Sequence, residues 1–542
     1  MKHILYILSL LILIAGCKPN NADFIIRNAH IYTVNEQFDT AQVLVVKDGK
    51  ILAVGGDELL NQYHAVNTLN ANGNYIYPGF IDAHCHFSGY AMDKYKLELF
   101  NTKSFQEVVG KVVDYARTNK RTWIEGRGWD QNDWASKEFP TKDTLDKLFP
   151  STPIILMRID GHAILCNQKA LDLAGINANT KVEGGEVVLK DGKLTGLLID
   201  NALDLVKKII PKRTQEEVTK DFISAQEDCF ALGLTSLAEC GIKNYIVKWL
   251  IDAGEKNKLK IRLAIFLEDE KANYDDYLDQ KPYKGTRVKI VGYKIYADGA
   301  LGSRGAYLLA DYNDRHGHRG QLLKSMDSLR YIAQQLIKTD YQLSVHSIGD
   351  GASREVLKIY AEALQGKNDR RWRLEHAQVL DPADFNLFGT YSIIPSVQPT
   401  HATSDMYWAD DRLGEPRIKS AYAYNDLLKQ NNWLPLGTDF PVEHLNPLYT
   451  FYAAVFRMDK KHFPANGFQP ENALSRKDAL RGITIWAAKS TFDEKERGSI
   501  EVGKQADFVM LPTDLMHDTP DSIYNTKVIA TYLQGDRVYP NR

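Results

Sequence analysis

The sequence predicts an α/β protein: a closed (β/α)8 barrel plus a small β-sandwich formed from both chain ends. Through residues 79–480, short apolar runs alternate with helical patterns, and parallel pairing follows from that alternation. Eight of the runs are candidate strands, at 79–84, 234–239, 261–267, 288–297, 342–347, 371–377, 391–398 and 433–439. Short alternating strands also occupy 23–77 and 498–540, with turn signals such as "KDGK" at 47–50.

These patterns set the domain boundaries. The gap between the first two candidate strands is too long for one connecting helix, so we predict a large insertion at about residues 90–230. The barrel is expected over 79–484, and the composite sandwich over 22–78 together with 485–542. With 542 residues, of which 44% are hydrophobic, the chain can build cores of this size.

The first 17 residues, "MKHILYILSLLILIAGC", differ from the rest of the chain. Their apolar run from Ile4 to Ile14 is shorter than the roughly 20 residues of a membrane-spanning helix, which favours an export signal. The ending "IAGC" resembles a bacterial lipobox with Cys17 as the lipidated residue. We therefore expect an exported lipoprotein held in the periplasm by its lipid alone, with the outer membrane favoured by Lys18. An ordinary cleaved signal and a membrane anchor are the alternatives.

Charge and cysteine usage narrow the class of protein further. The net charge is −2 without a basic excess, so no nucleic-acid partner is expected. The four cysteines after Cys17 form no CxxC pair and lie within apolar patterns, so we expect buried free thiols. These are Cys85, Cys166, Cys229 and Cys240.

Polar residues gather where the candidate barrel strands end. In "PGFIDAHCH" (78–86), His84 and His86 are two residues apart and therefore point to the same face of a strand. Active sites of such barrels lie at the carboxyl ends of the strands. Nitrogen and carboxylate ligands suit Zn²⁺ or a similar divalent ion. The sequence therefore predicts a metal site from His84, His86, Lys294, His346, His376 and Asp439.

Several motifs together resemble the amidohydrolase superfamily. They are "PGFIDAHCH", "YKIYADGALGSRGA", "VHSIGD", "LEHAQ", "LGTDFPVE" and "GSIEVGKQADFVML". "GRGWDQNDW" (126–134) and "RIDGHAILCNQKAL" (158–171) are similar to the branch that includes N-substituted formamide deformylases. The resemblance implies a metal-bearing barrel with a β-sandwich, a homodimer, and hydrolysis of a carbon–nitrogen bond that is usually amide-like.

The resemblance also implies ligand roles. His84 and His86 would hold the more buried metal, and His346 and His376 a second ion if two are present in each subunit. Lys294 would bridge the ions as a carbamate; the alternative is a plain lysine paired with Asp298 or Asp439.

A mechanism follows from this ligand set. A metal lowers the pKa of bound water to about 7, and the resulting hydroxide attacks the substrate carbonyl. Asp439 is expected to accept the proton of that water and return it to the leaving nitrogen, which must be protonated to depart. His162 is a candidate donor to the oxyanion.

Substrate contacts are predicted from the insertion and from the loop "GALGSRGA" (299–306), whose glycines allow close approach of a ligand. The candidates are Trp129, Asp130 and Arg304, although Trp129 and Trp134 could instead form the core of the insertion. His316 and His318 are expected in a surface loop.

Two other functions remain open at this stage. One is a hydrolase that cleaves an ester, lactone or phosphoester with the same metal site. The other is a binding lipoprotein without catalysis, for which loss of Asp439 or of the histidine pair would have been the sign. The expected partner in every case is a small molecule.

Overall fold

The structure is a computed structural model that describes residues 20–119, 121–158, 163–182, 185–200 and 202–541. Two positions assigned a role from the sequence, Cys17 and His162, lie outside these residues. The described chain divides into two compact units. The first comprises residues 20–88 and 226–541, and the second is Gly89–Ala225.

The first unit contains a sheet of seven parallel strands in which each strand pairs with the next along the chain. The barrel strands, called first to seventh below, are Phe80–Cys85, Leu234–Ile242, Arg262–Glu268, Val288–Tyr296, Gln342–Ser347, Arg373–His376 and Ile394–Ser396. This order is that of a (β/α)8 barrel, so the predicted fold class is confirmed.

The predicted eighth strand, 433–439, is an extended segment with a single bridge from Leu436 to Val397 rather than a regular strand. It still closes the barrel, because Gly437 N donates to Val397 O (3.0 Å) and Asp439 N donates to His84 O (2.7 Å). The ladder is interrupted at Thr438, whose amide donates to the carboxylate of Asp82 instead of a strand carbonyl.

Helices follow most barrel strands, and the spacing of their apolar residues determines which face of each helix is buried. In Met326–Leu336 the buried residues Leu329, Ile332, Ala333 and Leu336 lie on one face, and Ser325 caps the amino terminus by accepting from Ser328 N. The helices of the first unit are Asn244–Glu255, Lys271–Tyr277, Met326–Leu336, Asp350–Leu364, Phe385–Thr390, Pro399–Asp405, Ala409–Leu413, Tyr424–Asn431, Pro447–Phe456, Arg476–Gly482, Ile485–Ser490 and Pro520–Asn525. Phe87–Asp93 and Gln215–Ala231 contain the boundaries between the units.

Both ends of the chain contribute to one further sheet, because Phe508–Leu511 pairs antiparallel with Tyr75–Pro78. That sheet has the order Asp536–Tyr539, Ala530–Leu533, Phe508–Leu511, Tyr75–Pro78, His30–Tyr32, Thr40–Ala41. A second sheet has the order Lys50–Gly55, Val43–Lys47, Asn20–Arg27, Tyr63–Asn70. Ile26 and Leu44 of the second sheet share a core with Ile76 and Phe508 of the first, as expected for a sandwich.

The second unit has its own six-stranded sheet and its own core. The sheet order is Gly185–Lys190, Lys193–Asp200, Ala163–Cys166, Ile154–Arg158, Ile124–Trp129, Leu97–Glu98. Its helices are Phe105–Thr118, Asp143–Leu148, Gln168–Leu173 and Leu203–Lys207. Short 3₁₀ turns in the two units are Asp57–Asn61, Gln131–Asp133, Pro382–Asp384, Arg417–Ser420 and Pro470–Asn472.

The state of the cysteines can be compared with the expectation from the sequence. The cysteines Cys85, Cys166, Cys229 and Cys240 are buried free thiols. Among the described residues, every helix is too short or too polar to cross a membrane.

The closing segment generates a stability prediction at Gly437. A Cβ at this position would lie 2.6 Å from the backbone nitrogen of His84, closer than real Cβ contacts. Gly437→Ala should therefore lower the free energy of unfolding by about 1–3 kcal/mol, seen as a lower melting temperature by circular dichroism.

The matched control is Gly110→Ala, which adds the same methyl group in open space within the helix Phe105–Thr118. That variant should be as stable as the parent or more stable by up to about 1 kcal/mol. A Gly437→Ala protein that melts like the parent would contradict this account of the closure.

Candidate metal centre

The strand ends bring four predicted histidines together at the carboxyl-terminal mouth of the barrel. His84 lies in the first strand and His86 just after it, while His346 and His376 lie in the fifth and sixth strands. Ring centroids are 5.5 Å apart for His84 and His86, 5.0 Å for His84 and His376, and 4.5 Å for His346 and His376. Because side chains alternate between the two faces of a strand, both imidazoles of "HCH" point into one site.

Asp439 joins this cluster from the closing segment. Its Oδ1 lies 3.1 Å from His86 Nε2 and 3.4 Å from His84 Nε2. The residue has a φ of +63°, a left-handed conformation that non-glycine residues seldom adopt and that often marks functional sites. Ligand atoms of His84, His86 and Asp439 all lie within 4.8 Å of one another, close enough to share one ion.

Lys294 of the fourth strand is fully buried beneath the same cluster. Its Nζ lies 3.4 Å from His84 Nε2 and 4.7 Å from the centre of the Tyr296 ring. The structure therefore places the lysine beside the clustered histidines, and its role as a ligand stays a prediction.

Asp298, which the sequence offered as a partner for that lysine, has other partners. Its carboxylate accepts from the backbone amides of Tyr307 (2.9 Å), Ile348 (3.0 Å) and Gly349 (2.8 Å). It also approaches His346 Nε2 at 3.7 Å, so it supports that histidine and the loop after the fourth strand.

Burial keeps the imidazoles neutral. Desolvation, helped by the charge of Lys294, lowers the pKa of His84 to about 4 and that of His346 to about 3. Desolvation likewise holds the pKa of His376 well below its ordinary value. Neutral imidazole is the form that binds metal ions, so these three histidines are already in the required protonation state at pH 7.

Hydrogen bonds to Nδ1 orient three of these rings. His84 Nδ1 donates to Glu375 Oε2 (2.5 Å), His86 Nδ1 to Cys240 O (2.9 Å), and His376 Nδ1 to Gln398 Oε1 (2.8 Å). Such contacts fix the tautomer that leaves Nε2 as the ligand atom. Each ring is therefore preorganised to coordinate through Nε2.

Glu375 is a supporting residue that the strand-end reasoning missed. This fully buried carboxylate also accepts from Arg373 Nη2 (3.0 Å) and from Ser344 Oγ (2.6 Å), and it forms an ion pair with the guanidinium of Arg373. The available signal was a glutamate in the short strand Arg373–His376, directly before the predicted ligand His376.

His401 was missed as well, because it lies in the helix Pro399–Asp405 rather than at a strand end. Its Nε2 is 3.6 Å from Asp439 Oδ2, and His376, His401 and Asp439 form another group that could hold a metal. Its position soon after the seventh strand, in "PTHATSD", was the usable signal.

The histidine cluster opens into a cavity of about 350 Å³. Its apolar walls include Leu301, Trp408 and Val442, and Gly302 comes from the glycine-rich loop 299–306. That loop therefore faces the ligand space, as its glycines indicated. Polar groups in an apolar cavity of this size suit a small organic substrate.

Two of the predicted substrate-binding side chains, Trp129 and Asp130, have partners within the second unit. Trp129 is buried in the core of the second unit, where its Nε1 donates to Leu156 O (2.8 Å). This is the alternative in which the tryptophans form the insertion's own core. Asp130 pairs with Arg158 (2.6 Å) in the same unit.

Arg304 turns away from the cavity despite its place in the glycine-rich loop. Its guanidinium forms two hydrogen bonds to Asp314, at 3.0 and 2.7 Å, which engage the donors a substrate would need. His318 contacts the Arg304 carbonyl (2.9 Å), and His316 is exposed in the same loop region. The second HxH pair is thus a loop feature remote from the metal centre's ligand set.

The residues present fit a divalent metal ion. Oδ1 of Asp439 is buried without a well-formed hydrogen bond to any described residue. Leaving such an atom unsatisfied is costly, and a cation between this carboxylate and the neighbouring imidazoles removes that cost. The mixture of nitrogen and oxygen donors suits Zn²⁺ and similar ions.

Comparison with known proteins agrees with this geometry. A model of the amidohydrolase family matches residues 67–539. The chain is 31% identical over 543 residues to the Arabidopsis thaliana protein LONG AFTER FAR-RED 3, covering 96% of this chain and 92% of that one. It is 25% identical over 536 residues to N-substituted formamide deformylase of Arthrobacter pascens, covering 95% and 97%.

A solved structure is similar over the same length. It is an uncharacterized metal-dependent hydrolase from Pyrococcus furiosus, with a TM-score of 0.77, 26% identity, and coverage of 91% of this chain and all of that one. Together with the clustered histidines, these matches support a metal-dependent hydrolase. The chain belongs to the amidohydrolase family.

Proposed function

We propose that this protein hydrolyses an amide-like carbon–nitrogen bond, of the N-formyl amine class, in a small molecule. The observation that supports this proposal is the approach of the Asp439 carboxylate to the imidazoles of His84 and His86 at the mouth of an apolar cavity. The similarity to N-substituted formamide deformylase favours this bond over an ester.

The metal would be held by the side chains gathered at the strand ends. These are His84, His86, His346, His376 and Asp439, with Lys294 as a further ligand after carboxylation of its Nζ. When bound, a divalent ion such as Zn²⁺ supplies Lewis acidity and lowers the pKa of water to about 7.

Asp439 carries the proton in this mechanism. Its carboxylate is anionic and faces the cavity, so it can orient the attacking water and accept a proton at Oδ. The amine is a poor leaving group until it is protonated, and the same oxygen is placed to return the proton to it.

His401 is assigned as a hydrogen-bond donor to the oxyanion that develops in the transition state. Its Nε2 is a buried group lining the cavity, 3.6 Å from Asp439 Oδ2, and it can donate to a carbonyl oxygen that becomes negative. One such preorganised donor contributes about 3 kcal/mol to transition-state stabilisation. His162 stays a second candidate donor from the sequence.

Metal removal tests the reaction class. Chelated protein should release no amine from a panel of N-formyl and N-acyl amines, and added Zn²⁺ should restore the release. Activity measured by amine detection, with metal content by mass spectrometry, checks this. Cleavage of ester or lactone controls without any amide cleavage would replace the proposal by the ester alternative.

Asp439→Asn tests the proton carrier. We expect kcat to fall by about 10²–10⁴-fold, because the amide cannot accept and return a proton. Metal content is measured in parallel, since Asp439 is also a ligand. Asp426→Asn, which alters an exposed carboxylate paired with Lys429, is the matched control and should keep full activity. Parent-like turnover in Asp439→Asn would exclude the assigned role.

The amino terminus gives a separate proposal, of lipid attachment at Cys17 to hold the enzyme on the periplasmic side of the outer membrane. Cys17→Ser should move the protein from the membrane fraction to the soluble periplasmic fraction on cell fractionation. Continued membrane association of that variant, without lipid at the parent's Cys17 by mass spectrometry, would refute it.

A further inference from the structure

A small cavity lies at the amino-terminal end of the barrel, opposite to the metal centre. It is lined by the starts of the first, third and fourth strands, at Ile81, Arg262 and Val288, and by residues 491–497 after the helix Ile485–Ser490. Its volume is about 70 Å³. None of the predicted metal ligands lines it.

This cavity carries an excess of positive charge. Four cationic side chains line it, of which Arg262 is buried, and two buried carboxylates pair with them; the set is Arg262, Arg287, Lys289 and Arg497 with Asp493 in the lining and Asp507 beside it. Arg262 pairs with Asp507 (2.5 Å), while Lys289 (2.8 Å) and Arg497 (3.5 Å) share Asp493. At the rim, Glu496 pairs both with Lys284 (3.1 Å) and with Nη2 of Arg497 (3.0 Å), so these contacts add one further cation and one further carboxylate.

Several polar atoms facing this space lack partners. Nε and Nη1 of Arg287, Nε of Arg497 and Oγ of Ser236 are buried without a hydrogen bond to any described residue. Ser236 is 5% exposed, and all three residues line the cavity. Buried donors without acceptors are rare in native proteins and call for a bound acceptor.

The guanidinium groups also act on one another. Burial lowers the pKa of Arg262 to about 10, against the opposing charge of Asp507, and the charges of Arg497 and Arg287 add to the decrease. The exposed carboxylate of Asp536 acts on Arg287 but accepts no hydrogen bond from its Nε or Nη1. Cations are therefore concentrated without enough neighbouring carboxylates to neutralise them.

We propose that this cavity binds a small tetrahedral oxyanion, inorganic phosphate or sulfate, between Arg287, Arg497 and Ser236. Water could accept some of these hydrogen bonds, but it would leave the excess charge in a partly buried space. A tetrahedral oxyanion offers several acceptors to guanidinium donors and neutralises them. The volume excludes a nucleotide or a sugar phosphate.

Thermal melting of the metal-loaded, full-length protein tests the site. Phosphate and sulfate are titrated separately, each against chloride at equal ionic strength. The melting temperature should rise with the logarithm of oxyanion concentration and stay flat in chloride, because only a specific ligand stabilises the folded state by mass action. The two oxyanion arms show which of them binds more tightly.

Variants locate the binding. Arg287→Gln and Arg497→Gln should each weaken oxyanion binding about tenfold or more, since each removes a charged hydrogen bond. Arg117→Gln, at an exposed arginine paired with Asp114, should leave the response intact. A response that survives in both cavity variants, or that chloride reproduces, would overturn the proposal.

Two further measurements separate binding in this cavity from binding at the metal centre and cover the case in which the variants do not fold. The oxyanion response should persist after chelation, and its loss on chelation would place the anion at the metal centre and overturn the proposal. If the variants do not fold, crystals of the parent protein soaked in selenate decide the matter. An anomalous difference peak between Arg287 and Arg497 supports the site, and a featureless cavity refutes it.

Discussion

The metal centre depends on one buried carboxylate, Asp82, which holds together the two strand ends that close the barrel. Its Oδ1 accepts from His84 N and from Thr438 N, both at 3.0 Å, while its Oδ2 accepts from Thr438 Oγ1 (2.6 Å). Asp439 N then donates to His84 O. His84 and Asp439, candidate ligands 355 positions apart in the chain, are thereby fixed side by side. Without this closure the histidine pair would face an open sheet edge.

Burial sets the chemical character of the site. Burial raises the pKa of Asp82 to about 7, against the hydrogen bonds from Thr438 and His84, and lowers the pKa values of His84, His346 and His376. The buried carboxylate of Glu375 is compensated by Arg373. Buried ions of this kind are tolerated only when they are paired and hydrogen-bonded. The fold thus provides neutral imidazoles for coordination and keeps charge in the supporting layer.

The sequence could reveal the parts of the site that follow from strand periodicity. His84, His86, His346 and His376 were predictable because residues at the carboxyl ends of parallel strands must meet at one rim. Strand periodicity could not reveal His401, since a helical residue reaches the rim only through the path of the loop before it. It also could not show that Trp129 faces its own unit's core, or that Arg304 is engaged by Asp314. Those outcomes depend on which neighbour a side chain meets, and that is a property of tertiary packing.

The two ends of the barrel have separate roles. The sandwich is attached at one end, and the chemistry takes place at the other. Asp507 immediately precedes the strand Phe508–Leu511 of the sandwich and pairs with Arg262 at the start of the third barrel strand. Its backbone carbonyl also accepts from Gly79 N (2.9 Å), just before the first strand. The sandwich is therefore anchored where the strands begin, while the ligands lie where they end. Loops at the mouth can then differ in shape, and therefore in the substrate they accept, without disturbing the two contacts that Asp507 makes at the strand starts.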